Sequence, residues 1–420
     1  MSFGYRKDIL DNGIRVVSET SNDATSVALG FWIGVGSRLE PSNLNGISHF
    51  IEHLLFKGTK RRSAFEIAHA LESVGGSLDA FAGRESTAYV GRCLPEHLRR
   101  TVDVLSDMLC HPAMKEDAIE LEKQVVIEEI RNYEDTPEEI VLELLGRSVW
   151  KANPLGNPVL GTVDSVKSFR RETICHFFRN YYVGPNTIVA AAGKVDHDRL
   201  VEYVDKMLRL PSNSYHPAKV EGSPLPRVHH EKREVAQCYI TIGVEAPAYA
   251  DKRRYAAILL SLIVGGGMTS RLFQEVRERQ GLAYSVYCSC DFYKETGILT
   301  IFLAVDPRKA RQAVQSVATE LKKLRKDGLN RGELRSVKQQ LKGNLILGLE
   351  STSARMSRIA RHEFYLGEYV PVEKSLEEVM AVTRDRVMAE AHTMLDPDKF
   401  SLVVVGPSNT DFPEDSDLAF

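Results

Sequence analysis

The sequence predicts an α+β protein in which one unit occurs twice. Three observations carry this. The order of strand-like and helix-like segments in the first half returns in the second. The repeat is about 200 residues long, too long for a solenoid and suited to domain duplication. Neither half alternates strictly between strands and helices, which argues against a doubly wound parallel sheet.

The elements follow in order. Asn12-Gly13 supplies a tight turn between KDIL and IRVV, a hairpin signal. A strand follows at TSVALGFWIGVGS, then helices over 46–57 and 63–74. Residues 77–92 read as one or two strands. Helices are expected over 95–110, over 115–134, from Pro137 to 150 and over 165–181. The strand NTIVAAAGKV and a helix over 196–209 close the half. PSNSYHPAKVEGSPLP then holds four prolines in sixteen residues, the mark of an extended linker. In the second half CYITIGVEAP echoes SVALGFWIGVGS, GILTIFLAV echoes STAYVGRCL, and FSLVVVGP echoes NTIVAAAGKV. The expected division is a first domain over 1–212, a linker over 213–226 and a homologous second domain over 227–420.

Composition narrows the function. The chain has 420 residues, 43% hydrophobic and 26% charged, ordinary for a soluble globular protein. A net charge of -3 offers no basic field for nucleic acid. No run approaches the roughly 18 apolar residues of a membrane span. The N-terminal MSFGYRKDIL has neither an apolar core nor transit character, so a cytoplasmic protein is expected. Six scattered cysteines without CxxC spacing suggest packing, not a disulfide framework.

The first chemical signal is His49-Phe50-Ile51-Glu52-His53. At about 100° per residue, His49, His53 and Glu52 fall near 0°, 40° and 300° of a helix. Apolar residues fill nearly all the remaining arc, so the helix is expected to be buried. A buried stripe of two imidazoles and a carboxylate is costly without partners. Two His at i and i+4 can bind one zinc, and a Glu that is not a ligand can deprotonate a water on the metal.

The second signal is Glu122 with Glu129 in LEKQVVIEEIRNYE. With Leu121 at 0°, Val125, Tyr133, Val126 and Ile130 at about 40–180° define an expected buried stripe. Glu129 and Glu122, near 80° and 100°, stand in its middle. Glu128 lies at the polar edge with Lys123 and Arg131. Buried carboxylates call for a cation or a strong donor, and a metal needing a third ligand answers that demand. Glu129 is therefore the expected third metal ligand, and Glu122 the carboxylate that orients a histidine from behind. A decoy, Cys93-Leu-Pro-Glu96-His97, is interrupted by Pro95, which belongs at a helix start. The second half has no such string, so one metal per chain is expected. Arg277 and Tyr284, seven apart in that half, mean little alone.

His-x-x-Glu-His is the inverzincin motif. With Glu122 and Glu129 downstream and the Arg277–Tyr284 pair in the second half, the chain resembles the pitrilysin and mitochondrial processing peptidase family, in particular its short bacterial two-domain processing proteases. The resemblance spans essentially the whole chain. It implies two α+β domains, each a mixed sheet with helices, facing each other as a clamshell around a closed chamber. It implies zinc on His49, His53 and Glu129, with Glu52 as general base for the zinc-bound water and Glu122 supporting. Arg277 and Tyr284 are implied to meet the substrate and its tetrahedral intermediate from the second domain. A peptide substrate is implied to add as a strand along GGSLDAFAGREST, touching Asp79, Ala80 and Phe81. Family members often carry Asn where Asp79 stands. Short members commonly pair, so a homodimer is expected.

Three other readings compete. Some two-domain relatives lose the motif and serve as non-catalytic partner subunits, but all four first-domain residues are present here. S-ribosylhomocysteine lyases use HxxEH in short chains with a Cys ligand, and this chain is longer with a Glu available. Structural zinc sites are closed by four protein ligands, and no fourth is evident.

Overall fold

The computed structural model describes residues 4–150, 153–213 and 228–419. The expected linker, 213–226, lies outside these apart from Asn213. The chain forms two compact units, and they are not cut at one point. The first gathers the described residues of Met1–Arg131, Asn157–Val220 and Ile346–Tyr369; the second gathers those of Asn132–Gly156, Glu221–Leu345 and Val370–Phe420. Where the sequence suggests 1–212 and 227–420, the packing moves 132–156 into the second unit and 346–369 into the first. The reason lies in the two sheets.

The first unit is built on strands β1 (Gly4–Ile9), β2 (Arg15–Thr20), β3 (Val27–Ile33), β4 (Ser77–Ala82), β5 (Thr87–Cys93) and β6 (Thr187–Gly193), in the order β1-β2-β6-β3-β5-β4. Only β2 and β6 pair in parallel. The hairpin β1–β2 turns at Asn12-Gly13, where Gly13 adopts φ 87° and Leu10 N–H donates to the Ile14 carbonyl at 2.9 Å. Glycine takes that conformation without the steric cost of a Cβ.

One sheet face buries Val16, Leu29 and Phe31 against Ile47, Phe50 and Leu54 of the helix Ile47–Leu55. The other buries Ala28, Ile188 and Ala190 under Met356, Ile359 and Ala360 of the helix Thr352–Tyr365. Buried polar groups fasten this late helix. Glu363, 1% exposed, receives Lys7 Nζ at 2.8 Å and Arg15 Nη1 at 3.4 Å. Glu19 accepts from the Tyr369 hydroxyl at 2.9 Å, and Tyr369 stacks on Tyr5 with centroids 4.1 Å apart. A carboxylate so placed is tolerable only because it is paired.

The second unit carries β7 (Val228–Lys232), β8 (Cys238–Ala246), β9 (Ala283–Phe292), β10 (Gly297–Val305) and β11 (Ser401–Gly406), ordered β7-β11-β8-β10-β9. Only β7 and β11 run parallel. Matching β7 with β2, β11 with β6, β8 with β3, β10 with β5 and β9 with β4 gives the same order and directions. The duplication read from the sequence is thus present in the topology, and the α+β class holds in both units. Here Ile298, Phe302 and Val403 are covered by Ile140, Val141 and Leu145 of the helix Pro137–Val149. Each sheet therefore receives one covering helix from the opposite half of the sequence.

The helix expected over 165–181 is two, Val163–Ser168 and Arg171–Tyr181. Phe169 between them is extended (φ -61°, ψ 132°) and packs edge-on against Phe50 at 5.2 Å. Burying that ring under the Ile47–Leu55 helix breaks the run. Among the described residues no helix is long and apolar enough to cross a membrane.

Candidate metal centre

The helix Ile47–Leu55 buries Ile47, Phe50, Ile51, Leu54 and Leu55, leaving a stripe of His49, Glu52 and His53. Its start is at Gly46, with φ 89°, where a Cβ would come within 2.5 Å of the Leu160 carbonyl oxygen. The loop that follows its far end, 59–62, is held by Asp107, whose side chain is fully buried. Asp107 accepts from the Thr59 hydroxyl at 2.7 Å, Arg61 Nε at 2.8 Å and Arg62 Nη1 at 2.6 Å. Burial alone would raise the Asp107 carboxyl, but Thr59, Arg61 and Arg62 overcome this and hold it below its usual range.

That shift has a pH signature. A carboxyl with a lower folded than unfolded pKa stabilises fully above the unfolded value, near 4, and less as pH falls through the folded value. Asp107→Asn is therefore expected to cost about 2–3 kcal/mol at pH 7, as charged hydrogen bonds do. The gap to the native chain should narrow below about pH 4. Urea unfolding at pH 7 and pH 3 measures this, and an equal gap at both would refute it.

The structure brings His49, His53 and Glu129 together, their ligand atoms all within 4.8 Å of one another. Glu129 Oε2 stands 3.6 Å from His49 Nε2 and 3.4 Å from His53 Nε2. Two donors each about 2.0–2.2 Å from a tetrahedral ion stand about 3.3–3.6 Å apart. The set thus fits one zinc-sized ion. Among the described residues no other trio of His, Cys, Asp or Glu converges this way.

Glu122 lies behind His53, only 1% exposed, with Oε1 2.8 Å from His53 Nδ1. This arrangement places the ring proton on Nδ1 and frees the Nε2 lone pair toward Glu129. Lys57 Nζ lies 2.8 Å from Glu122 Oε2. Burial acts to raise Glu122, but His53 and Lys57 hold it low. Burial would lower His53, yet Glu122, Glu52 and Glu129 raise it overall. Burial, then the neighbouring His53, push His49 down to about 3, so it is neutral at pH 7, the state that binds metal. Burial, with Glu129, Asp79 and Glu122 adding to it, pushes Glu52 up to about 7, in the range that suits a proton shuttle.

The helix Glu116–Glu134 corrects the expected stripe. Leu121 and Val125 are 62% and 44% exposed, while Ile119, Val126 and Ile130 are buried. The buried arc is rotated away from Leu121. Glu122 is consequently deep, and Glu129 sits half-exposed at the edge, where its carboxylate can leave the core and meet the imidazoles.

Asp79, Ala80 and Phe81 lie on β4, the edge strand of the first sheet. Asp79 Oδ1 accepts from Ala80 N–H at 2.8 Å, and Phe81 packs edge-on against Trp32 at 5.3 Å. Arg277 and Tyr284 lie in the second unit, with the guanidinium 5.8 Å from the Tyr284 ring centre and 4.8 Å from that of Phe273. Tyr284 is 75% exposed. Arg277 rides on widened helical turns over Phe273–Arg279, a geometry frequent at functional sites. Cys93, Glu96 and His97 do not join any metal-like group, since Pro95 opens a short turn between them. Sequence reasoning missed Lys57. It stands in the turn just after the helix Ile47–Leu55, four residues beyond His53.

Comparison with known proteins places this geometry. Residues 15–163 match the family model "Insulinase (Peptidase family M16)", and residues 168–341 match "Peptidase M16 inactive domain". The chain belongs to peptidase family M16. An uncharacterized zinc protease of Bacillus subtilis is 38% identical over 402 residues, covering 94% of this M16 chain and 97% of the relative. One from Mycobacterium leprae is 36% identical, covering 97% and 92%. A protease from Helicobacter pylori has the same fold, with TM-score 0.90 at 22% identity over 97% of this chain and all of its own. A Pseudomonas fluorescens structure described as a peptidase M16 inactive domain also reaches 0.90, at 19% identity, covering 98% and 99%. The part of this M16 chain that matches the inactive domain is the part without HxxEH.

Proposed function

We propose that this M16 chain is a zinc-dependent endopeptidase hydrolysing peptides or unstructured polypeptide segments. One observation carries the reading: two imidazole nitrogens and a carboxylate converge at ligand spacing while Glu52, on the same stripe, is left out of the set. His49, His53 and Glu129 would hold a zinc ion, which when bound would supply Lewis acidity toward a water and the scissile carbonyl. Glu52 takes the proton of that water and passes it to the leaving amine. Glu122 keeps the His53 ring in the binding tautomer. Tyr284 and Arg277 are assigned to the substrate and to charge developing on its carbonyl oxygen. The exposed edge of β4 receives the peptide as an added strand through Asp79, Ala80 and Phe81.

The same reading holds one zinc per chain, a catalytic first half, a linker near 213–226 and a second half serving the substrate. It includes an enclosed chamber, a homodimer and a cytoplasmic setting, with no nucleic-acid or membrane partner. The test is cleavage of a quenched peptide library by the purified chain. Cleavage should disappear with a zinc chelator and return with added Zn2+. Cleavage indifferent to chelation, or none by the zinc-loaded chain, would defeat the reading.

A further inference from the structure

We propose that Glu40, outside the ligand set, is the positioning residue that aims His49 at the metal. The helix Ile47–Leu55 begins at a glycine, which has no side chain to satisfy the free N–H groups of a first turn. Glu40 supplies the missing acceptor from six residues upstream. Its Oε2 accepts from Gly46 N–H at 2.6 Å and Asn45 Nδ2 at 2.9 Å, and its Oε1 accepts from Ser48 N–H at 2.8 Å. The next residue along is His49.

Two features set this apart from an ordinary cap. Helix caps are usually short side chains at the cap position itself. Here a carboxylate is 5% exposed with no Lys or Arg paired to it among the described residues. Burying such a group is expensive, and backbone and amide donors together with the helix dipole act to offset it. The start of the helix is also tied sideways. Asn45 Nδ2 donates to the Pro158 carbonyl at 3.0 Å, and the Asn45 carbonyl accepts from Ser165 Oγ at 2.7 Å. The first turn is thus tied both to Glu40 before it and to the loop beside it. Metal–ligand distances in such sites stay within about 0.2 Å of their standard values. His49 sits in that turn, with Nε2 3.6 Å from Glu129.

The inference rests on the metal reading above, and its test separates the two. Zinc affinity is measured by chelator competition for the native chain, Glu40→Ala and Glu40→Gln, alongside apo-protein melting and the visible spectrum of the Co2+-loaded forms. Glu40→Ala should weaken zinc binding about 10–100-fold and alter the Co2+ band, as loss of a ligand-orienting partner does. Glu40→Gln keeps one acceptor and should fall between; it carries the test if the alanine variant fails to fold. Ser18→Ala removes the buried bond to His197 elsewhere in the unit and should lower melting without changing zinc affinity. Glu40 variants that melt lower but bind zinc like the native chain would reduce Glu40 to a plain cap and overturn the proposal. A native chain that takes up no zinc would instead overturn the metal reading itself.

Discussion

Replacing Glu52 by Gln is expected to lower peptide turnover by about 10²–10⁴-fold while the chain keeps its zinc. Gln has the same length and fits the same partly buried place, so the helix should not shift. Its amide cannot take a proton at neutral pH. The loss is that of a positioned base, about 3–5 kcal/mol of barrier. Zinc retention is expected because Glu52 is not in the converging trio. Single-turnover cleavage beside metal analysis of the same preparation measures both. Undiminished cleavage would remove Glu52 from the chemistry, and loss of zinc would make it a ligand.

Glu129→Ala should have the opposite signature, with the metal lost first and activity with it. Its carboxylate oxygen is the point both imidazole nitrogens face, at 3.6 and 3.4 Å. Two His remain, too few for a stable site of this kind. Zinc affinity should drop by more than the roughly 10–100-fold that an outer partner costs. Glu128→Ala one residue earlier is the matched comparison. Glu128 is exposed and, among the described residues, pairs with Arg131 on the same helix. Its removal should leave zinc and turnover unchanged. Equal losses from the two variants would mean that helix damage, not ligation, is being measured.

Much of this site was legible because two signals reinforce each other. HxxEH on an otherwise apolar helix implies burial, and burial implies a partner for its polar stripe. The long acidic helix was legible only in part. Counting apolar residues placed Leu121 and Val125 in the core, but periodicity does not reveal which apolar residues meet the sheet. The true arc runs through Ile119, Val126 and Ile130, which share a core cluster with Ile47, Phe50 and Ile51 of the helix Ile47–Leu55. Glu40 left no trace in the sequence, since its partners are backbone amides across an irregular loop. Lys57 was hidden because it meets Glu122 only after two distant helices pack. The correspondence of strands between the halves was legible in the echoing segments, but not their order in the sheets. Nor was the trade of helices, because the helix expected from Pro137 reads as an ordinary segment of its own half and nothing in its pattern names the sheet it covers.

The trade of helices sets a timetable for folding. β6 completes the first sheet at Gly193, yet the helix that shields its second face starts at Thr352. At about 5–20 residues per second of synthesis, Ala28, Ile188 and Ala190 wait on the order of 10 s without their cover. During that interval the nascent chain lacks the helix that covers this apolar face, which is left bare until synthesis is nearly over.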